Sequence, residues 1–293
     1  MIKRRTFIKQ SGLALAATAV LPSILYSCDK DHPLGLQLYS LRETIGDDVQ
    51  GTIQKIAGVG FKEVETYGYS PKNGFWGLSV PEFKNLLNNN GLNSPSGHYG
   101  LEDFLSKEGT KSDLTSTLEV AKGLDQEYVI IPHISNKLRT SIDDYKRLAD
   151  KLNEAGEMCK DAGLKLAYHN HAFEFDDYNG QNGYDIFLNN TDKDLVVFEM
   201  DIYWVVRAKK DPIALFQDNP GRFPLWHVKD MSKANRELNT EIGSGTIDFH
   251  RIFEMAKEAG GKHFILEQEN FEMDPYKSLS QSYSYIKNDL LNS

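Results

Sequence analysis

Four segments in the second half of the chain each run a hydrophobic stretch into a residue able to bind a cation: YHNHAFEF with Glu174, VVFEMDIYW with Asp201, PLWHVKD with His227 and FILEQEN with Glu267. Carboxylate oxygens and an imidazole nitrogen are donors that divalent ions accept, so the set reads as one divalent-metal site. A polar residue at a single strand end ordinarily meets solvent and nothing more. Four in succession are harder to place that way, because a carboxylate-rich cluster gathered without a cation carries a large like-charge and desolvation cost.

The elements that must position these residues alternate regularly. Strand-like runs occur at 35–39, 63–67, 93–98, 128–133, 164–171, 195–201, 225–229 and 264–269. Helical patterns lie between them at 47–59, 80–90, 112–124, 142–162, 249–259 and 276–291, with fainter segments at 184–189 and 212–217. Gly60, Gly91, Gly163 and Gly260 or Gly261 fall where a helix hands over to a strand, as a left-handed residue at a helix end should. Eight such units in one chain predict an α/β fold, a single (β/α)8 TIM barrel over 33–293, closed by right-handed crossovers. Catalytic residues of that fold sit at the C-terminal strand ends, where the four candidate ligands fall. Period-two alternation groups Glu199 with Asp201, His227 with Lys229, Glu267 with Glu269, and His169 with His171. Glu174, three residues beyond His171, belongs to the start of the following loop. Gln37, Tyr39, Glu65, Tyr67, His98 and His133 end the strands of the first half and face the same mouth.

Residues 1–28 read as a targeting segment. Lys3, Arg4, Arg5, Thr6, Phe7, Ile8 and Lys9 resemble a twin-arginine export signal, and the apolar run that follows is too short for a permanent membrane span. Leu25, Tyr26, Ser27 and Cys28 resemble a lipobox, in which Cys28 would carry a lipid anchor. The expected address is therefore the periplasm, with membrane attachment if Cys28 is acylated. The net charge is −9, and losing a leader that carries bases and no acid makes it more negative, which argues against a nucleic-acid partner. Apart from Cys28 the sequence holds only Cys159, so no internal disulfide is expected. The oligomeric state is open, a homo-oligomer included.

The four segments, taken with the barrel pattern, resemble the sugar phosphate isomerase/epimerase superfamily with its xylose isomerase-like TIM barrel. The likeness extends over essentially all of 33–293. It implies one divalent ion, Mn²⁺ first with Mg²⁺, Co²⁺ or Zn²⁺ as alternatives, held by Glu174, Asp201, His227 and Glu267, which are spaced 27, 26 and 40 residues apart. It also implies that Glu174 and Glu267 are the acid/base pair, moving a carbon-bound proton across a keto-sugar through an enediolate. Glu65, His98, His133, His169, His171, Trp204, Lys229 and Glu269 are the residues expected to contact substrate. Two positions depart from the ketose epimerases: Trp204 stands where they have a His, and Lys233 where they have an Arg. With Tyr67, Tyr69, Phe75, Trp76 and Trp226, Trp204 suggests a larger glycan or glycoside instead of a small phosphate ester. A core role suits Trp226 better, since it alternates away from His227. The leading expectation is a metal-dependent sugar isomerase or epimerase. The alternatives are a lyase or dehydratase acting on a 3-keto-glycoside by β-elimination, and an exported sugar-binding protein without activity.

Overall fold

The computed structural model describes residues 33–291, so the expected leader and Cys28 lie outside the described residues. The ring of parallel strands is β1 (Leu34–Gln37), β2 (Glu63–Thr66), β3 (Asn93–His98), β4 (Tyr128–Ile131), β5 (Lys165–His169), β6 (Val196–Asp201), β7 (Leu225–Val228) and β10 (His263–Leu266). Pairing of β10 with both β7 and β1 closes it. A short antiparallel hairpin, β8 (Asp230–Met231) with β9 (Asn239–Thr240), leaves the C-terminal end of β7. Among the described residues no helix is long and apolar enough to cross a membrane.

The expected barrel is present, and all its strands but β3 and β6 stop a little earlier than the hydrophobic runs. At β1 the reason is local: the Gln37 side-chain oxygen accepts the Tyr39 N–H at 2.9 Å and turns the chain into the 3-10 helix Leu38–Leu41. The two faint helices form, at Gly183–Asn190 and Pro212–Asp218, each begun by a side-chain cap from Asn182 or Asp211. A further helix, Ile202–Arg207, follows β6 directly; its single turn and a half was too short to leave a periodic signal. The run at 249–259 divides into Phe249–Phe253 and Ala256–Ala259, and the last helix, Pro275–Tyr285, ends in a π turn over Ile286–Leu290.

Alternation splits the buried side chains into two layers. Tyr168, Phe198 and Trp226 point outward into the packing between strands and helices, where Trp226 stacks on Phe216 at 4.8 Å between ring centres. Trp226 is thus a core residue, out of reach of any ligand at the mouth. Inside the barrel, Tyr128, Ile130, Ala167, Leu225 and Ile265 form a small apolar plug. Above it, toward the C-terminal strand ends, stand Glu65, His169, Glu199, Asp201 and His227, while the Glu63–His263 pair lies at the opposite end of the barrel.

Candidate active site

On that plug lies a fully buried tier in which carboxylates and imidazoles alternate. Register brings Gln37 beside Glu65, Glu65 beside Ser96, and His169 beside Glu199. Glu65 accepts from Gln37 Nε2 at 2.7 Å and Ser96 Oγ at 2.6 Å, and its Oε1 also lies 2.9 Å from His98 Nε2 and 2.7 Å from His227 Nε2. Glu199 Oε2 lies 2.8 Å from His98 Nε2 and 2.9 Å from His169 Nδ1. Burial alone would raise Glu65, yet His98 and His227 hold it well below the usual carboxylate range. Glu199 goes the other way: burial and then the neighbouring Glu65 push it well above that range. Of the two adjacent carboxylates, Glu199 is therefore the one that holds a proton more tightly. Glu65 was expected to meet substrate, but its oxygens are engaged by this network and it lies beneath the cavity without lining it.

The second tier opens to the mouth. Asp201 ends β6 and caps the helix Ile202–Arg207 through Oδ1, which accepts the Trp204 N–H at 3.0 Å. Asn170 clamps the same peptide to β5, accepting from Asp201 N at 3.1 Å and donating to Asp201 O at 3.2 Å. The cap and clamp leave Asp201 Oδ2 facing inward, buried and with no hydrogen-bond partner. Around it stand His169 Nε2 at 3.9 Å, His227 Nδ1 at 3.9 Å and Lys229 Nζ at 3.8 Å, while His227 Nδ1 is 3.1 Å from Glu267 Oε2. Ligand atoms about 2.0–2.2 Å from one ion are themselves roughly 3–4 Å apart, so an unpartnered Oδ2 among such neighbours fits a cation. Asp201, His227 and Glu267 offer donors within 4.8 Å of one another, and so do His98, His169, Glu199 and His227. Each set has one oxygen to spare: Glu199 Oε1 in the deeper set and Asp201 Oδ2 in the mouth set are both buried without a hydrogen-bond partner. The spare oxygen of the mouth set lies 3.8 Å from Lys229, which lines the open mouth.

Glu174 is the residue the sequence misplaced. It is fully buried, but β5 ends at His169 and the turn Phe173–Phe175 carries the Glu174 side chain behind the barrel wall. There its carboxylate accepts from Tyr168 Oη at 2.6 Å and from His171 N at 2.9 Å, away from Asp201, His227 and Glu267. Burial pushes it up to about 7, with these two hydrogen bonds acting against the rise. The β5 side chain that does reach the mouth set is His169.

Lys229, buried, donates to Glu267 Oε2 at 3.0 Å and to Glu269. Burial disfavours its charge, but Glu267, Asp201 and Glu269 more than compensate and raise it well above the ordinary lysine value. Lys229 and then His227 hold Glu267 far below the usual carboxylate range in spite of burial, so it is an ionised base. Burial raises Asp201 to about 6, opposed by Lys229 and His227. The hairpin fixes the outer end of this group: Asn239 Oδ1 accepts the N–H groups of Glu269 and Asn270 at 2.7 and 3.0 Å. Asp230 in turn gathers the backbone N–H groups of Met231, Gly243, Gly245 and Ile247.

Above the charged floor is a cavity of about 420 Å³. His98, His169, Lys229, Glu267 and Glu269 line it on the polar side, and Tyr39, Tyr67, His133, His171 and Trp204 supply rings. Burial, followed by the charge of Lys229, lowers His171 to about 3, so it presents a neutral ring. His133 stands exposed at the rim, edge-on to His171 at 5.5 Å. Phe75 is buried under the loop and takes no part, while Trp76 packs against Tyr67 at 5.2 Å. Of the residues expected at the site, all but Glu65 and Glu174 belong to the cavity wall or the donor cluster. Glu199 was the omission, grouped with Asp201 by alternation but not carried forward into the site.

Fold and site together define a parallel (β/α)8 barrel with an imidazole–carboxylate cluster at its C-terminal mouth. The model of the xylose isomerase-like TIM barrel family matches residues 53–288, and the chain belongs to that family. It is 27% identical over 204 residues to inosose dehydratase of Clostridium beijerinckii, covering 63% of this chain and 67% of that protein. A sugar phosphate isomerase/epimerase from Parabacteroides distasonis superposes with a TM-score of 0.75 at 27% identity, covering 91% of this chain and 97% of that one. L-ribulose 3-epimerase shares the fold, with a TM-score of 0.64 at 16% identity over 86% of this chain and 92% of its own.

Proposed function

We propose that this protein is a lyase that removes the proton from the carbon beside the carbonyl of a keto-sugar, with Glu267 as base, and expels the group on the next carbon. The observation that carries this reading is the asymmetry of the site. Glu267 is ionised beside Lys229 at the mouth, whereas Glu174, the carboxylate expected opposite it, is turned behind the wall. A proton taken from one face and returned on the other needs an acid/base group on each face; an elimination needs one base and a departing group.

His169, Asp201, His227 and Glu267 would hold a divalent cation, and two imidazoles with two carboxylates suit Mn²⁺, Co²⁺ or Zn²⁺ better than Mg²⁺. Bound there, the cation would act as a Lewis acid on a sugar carbonyl. Glu267 takes the carbon-bound proton, and the freed electron pair forms the carbon–carbon double bond. The bond from the adjacent carbon to its oxygen substituent then breaks, and the departing oxygen is protonated from solvent at the open mouth. No oxidant or reductant is consumed. The Lys229 ammonium faces the cavity and lowers the energy of negative charge that develops on the sugar. The match to inosose dehydratase supports elimination. A second reading, isomerisation or epimerisation of the same substrate class, is supported by the Parabacteroides distasonis neighbour.

The test is a panel of keto-sugars in heavy water with Mn²⁺ supplied, followed by product analysis. Elimination gives an enone and deuterium beside the carbonyl of recovered substrate. A stereoisomer as the sole product selects the second reading. Turnover at an unchanged rate in Glu267→Gln removes Glu267 from both.

A further inference from the structure

We propose that the substrate is a glycoside whose departing group carries a ring, held between the two aromatic walls of the cavity; this rests on the reading of the site as one that eliminates beside a sugar carbonyl. The polar groups that could serve the reacting sugar are confined to the floor, at Lys229, Glu267, Glu269 and His169. One wall is a chain of rings in which His171 stacks on Phe173 at 5.5 Å with 10° between planes and meets Trp204 at 5.3 Å. The Arg139 guanidinium lies 3.4 Å from the Phe173 centroid and holds that wall. The other is Tyr39 and Tyr67, in edge-to-face contact at 5.1 Å, with Trp76 packed behind Tyr67 at 5.2 Å and Arg42 over Tyr39 at 4.7 Å.

A single sugar on the floor would leave both walls against water. A cavity of about 420 Å³ has room for a second ring, within the roughly 300–1,000 Å³ typical of small-molecule sites. Gly100 lines this space at its exposed edge, and a Cβ added there would meet no atom within 4 Å, so there is room at that edge for a larger group. A phosphate is poorly served: among the described residues no arginine lines the cavity, and the Lys229 ammonium is shared by Asp201, Glu267 and Glu269.

The experiment compares a benzyl 3-keto-glucoside, whose departing alkoxide is matched in basicity to methoxide, with its methyl counterpart and the free keto-sugar, on the Mn²⁺-supplied protein. Stacking of one ring on these walls should favour the benzyl over the methyl glycoside by about tenfold or more in kcat/KM. Gly100→Leu, which fills that room, and Trp204→Ala, which removes a wall, should each bring the ratio toward one, with circular dichroism confirming the fold. Equal kcat/KM for the two glycosides, or a ratio unmoved in both variants, overturns the ring subsite while deuterium exchange into the free keto-sugar preserves the base. Absence of exchange into every substrate overturns the base assignment and the subsite with it.

Discussion

Replacing Glu174 by Gln separates the barrel wall from the chemistry. The carboxyl is fully buried, with Tyr168, Tyr145 and Tyr184 facing it and Arg139 nearby, and its titration is raised from the ordinary 4.5 to about 7. In the folded protein the proton is therefore held more tightly than in the unfolded chain. The stabilisation this confers is fully present below about pH 4.5 and is lost as pH rises through about 7. At about 1.4 kcal/mol per unit, the wild type forfeits about 3 kcal/mol of stability across that window. Gln cannot ionise, and its amide keeps an oxygen for the His171 N–H and an NH₂ for Tyr168 Oη. Urea unfolding from about pH 5 to about pH 8.5 should show wild-type stability falling relative to the variant, by about 3 kcal/mol in total. Cation binding, measured by metal analysis after gel filtration, should be retained, because the mouth set does not include Glu174. Parallel stability curves would refute the buried, raised carboxyl; loss of the cation in Glu174→Gln would return this residue to the ligand set.

Glu267→Gln should keep the fold and lose deuterium exchange beside the carbonyl by about 10³-fold, read by NMR of recovered substrate. Lys229→Met leaves Asp201, Glu267 and Glu269 without their buried cationic partner, which should cost about 3–5 kcal/mol in urea unfolding. The same variant removes the main cause that lowers Glu267, so the acid limb of the pH–rate profile should move to higher pH. Dialysis against a chelator should lower the melting temperature, and Mn²⁺ should restore it in wild type but far less in Asp201→Asn. Gly245→Ala would set its Cβ 2.2 Å from Asp230 Oδ1, so the loop that carries Asn239 must shift; a loss of about 1–3 kcal/mol in thermal unfolding is expected.

The barrel was legible because its signals repeat: each strand is a short hydrophobic run and several helices end at a glycine, and Gly60 and Gly260 do take positive φ. The mouth was legible where a ligand lies on the strand itself. Asp201 and His227 stand in register, and His227 opposes Ile265, two residues before Glu267, so period-two alternation brings Asp201, His227 and Glu267 to one face. The same alternation joins His169 to Glu199 in the β5–β6 register and makes His169 the inward residue of β5. Glu174 lies beyond the strand, where alternation no longer applies and a 3-10 turn decides direction. Its two hydrogen bonds to Tyr168 and the His171 backbone are contacts across that turn, which hydrophobic period does not encode. Spacing from one metal-binding residue to the next thus pointed to the end of β5, where the structure brings His169, and not Glu174, next to Asp201. The proposed one-sided elimination rests on this placement: His169 Nε2, and not a Glu174 oxygen, stands 3.9 Å from Asp201 Oδ2, and a single carboxylate base suffices for elimination where exchange between two faces needs two groups.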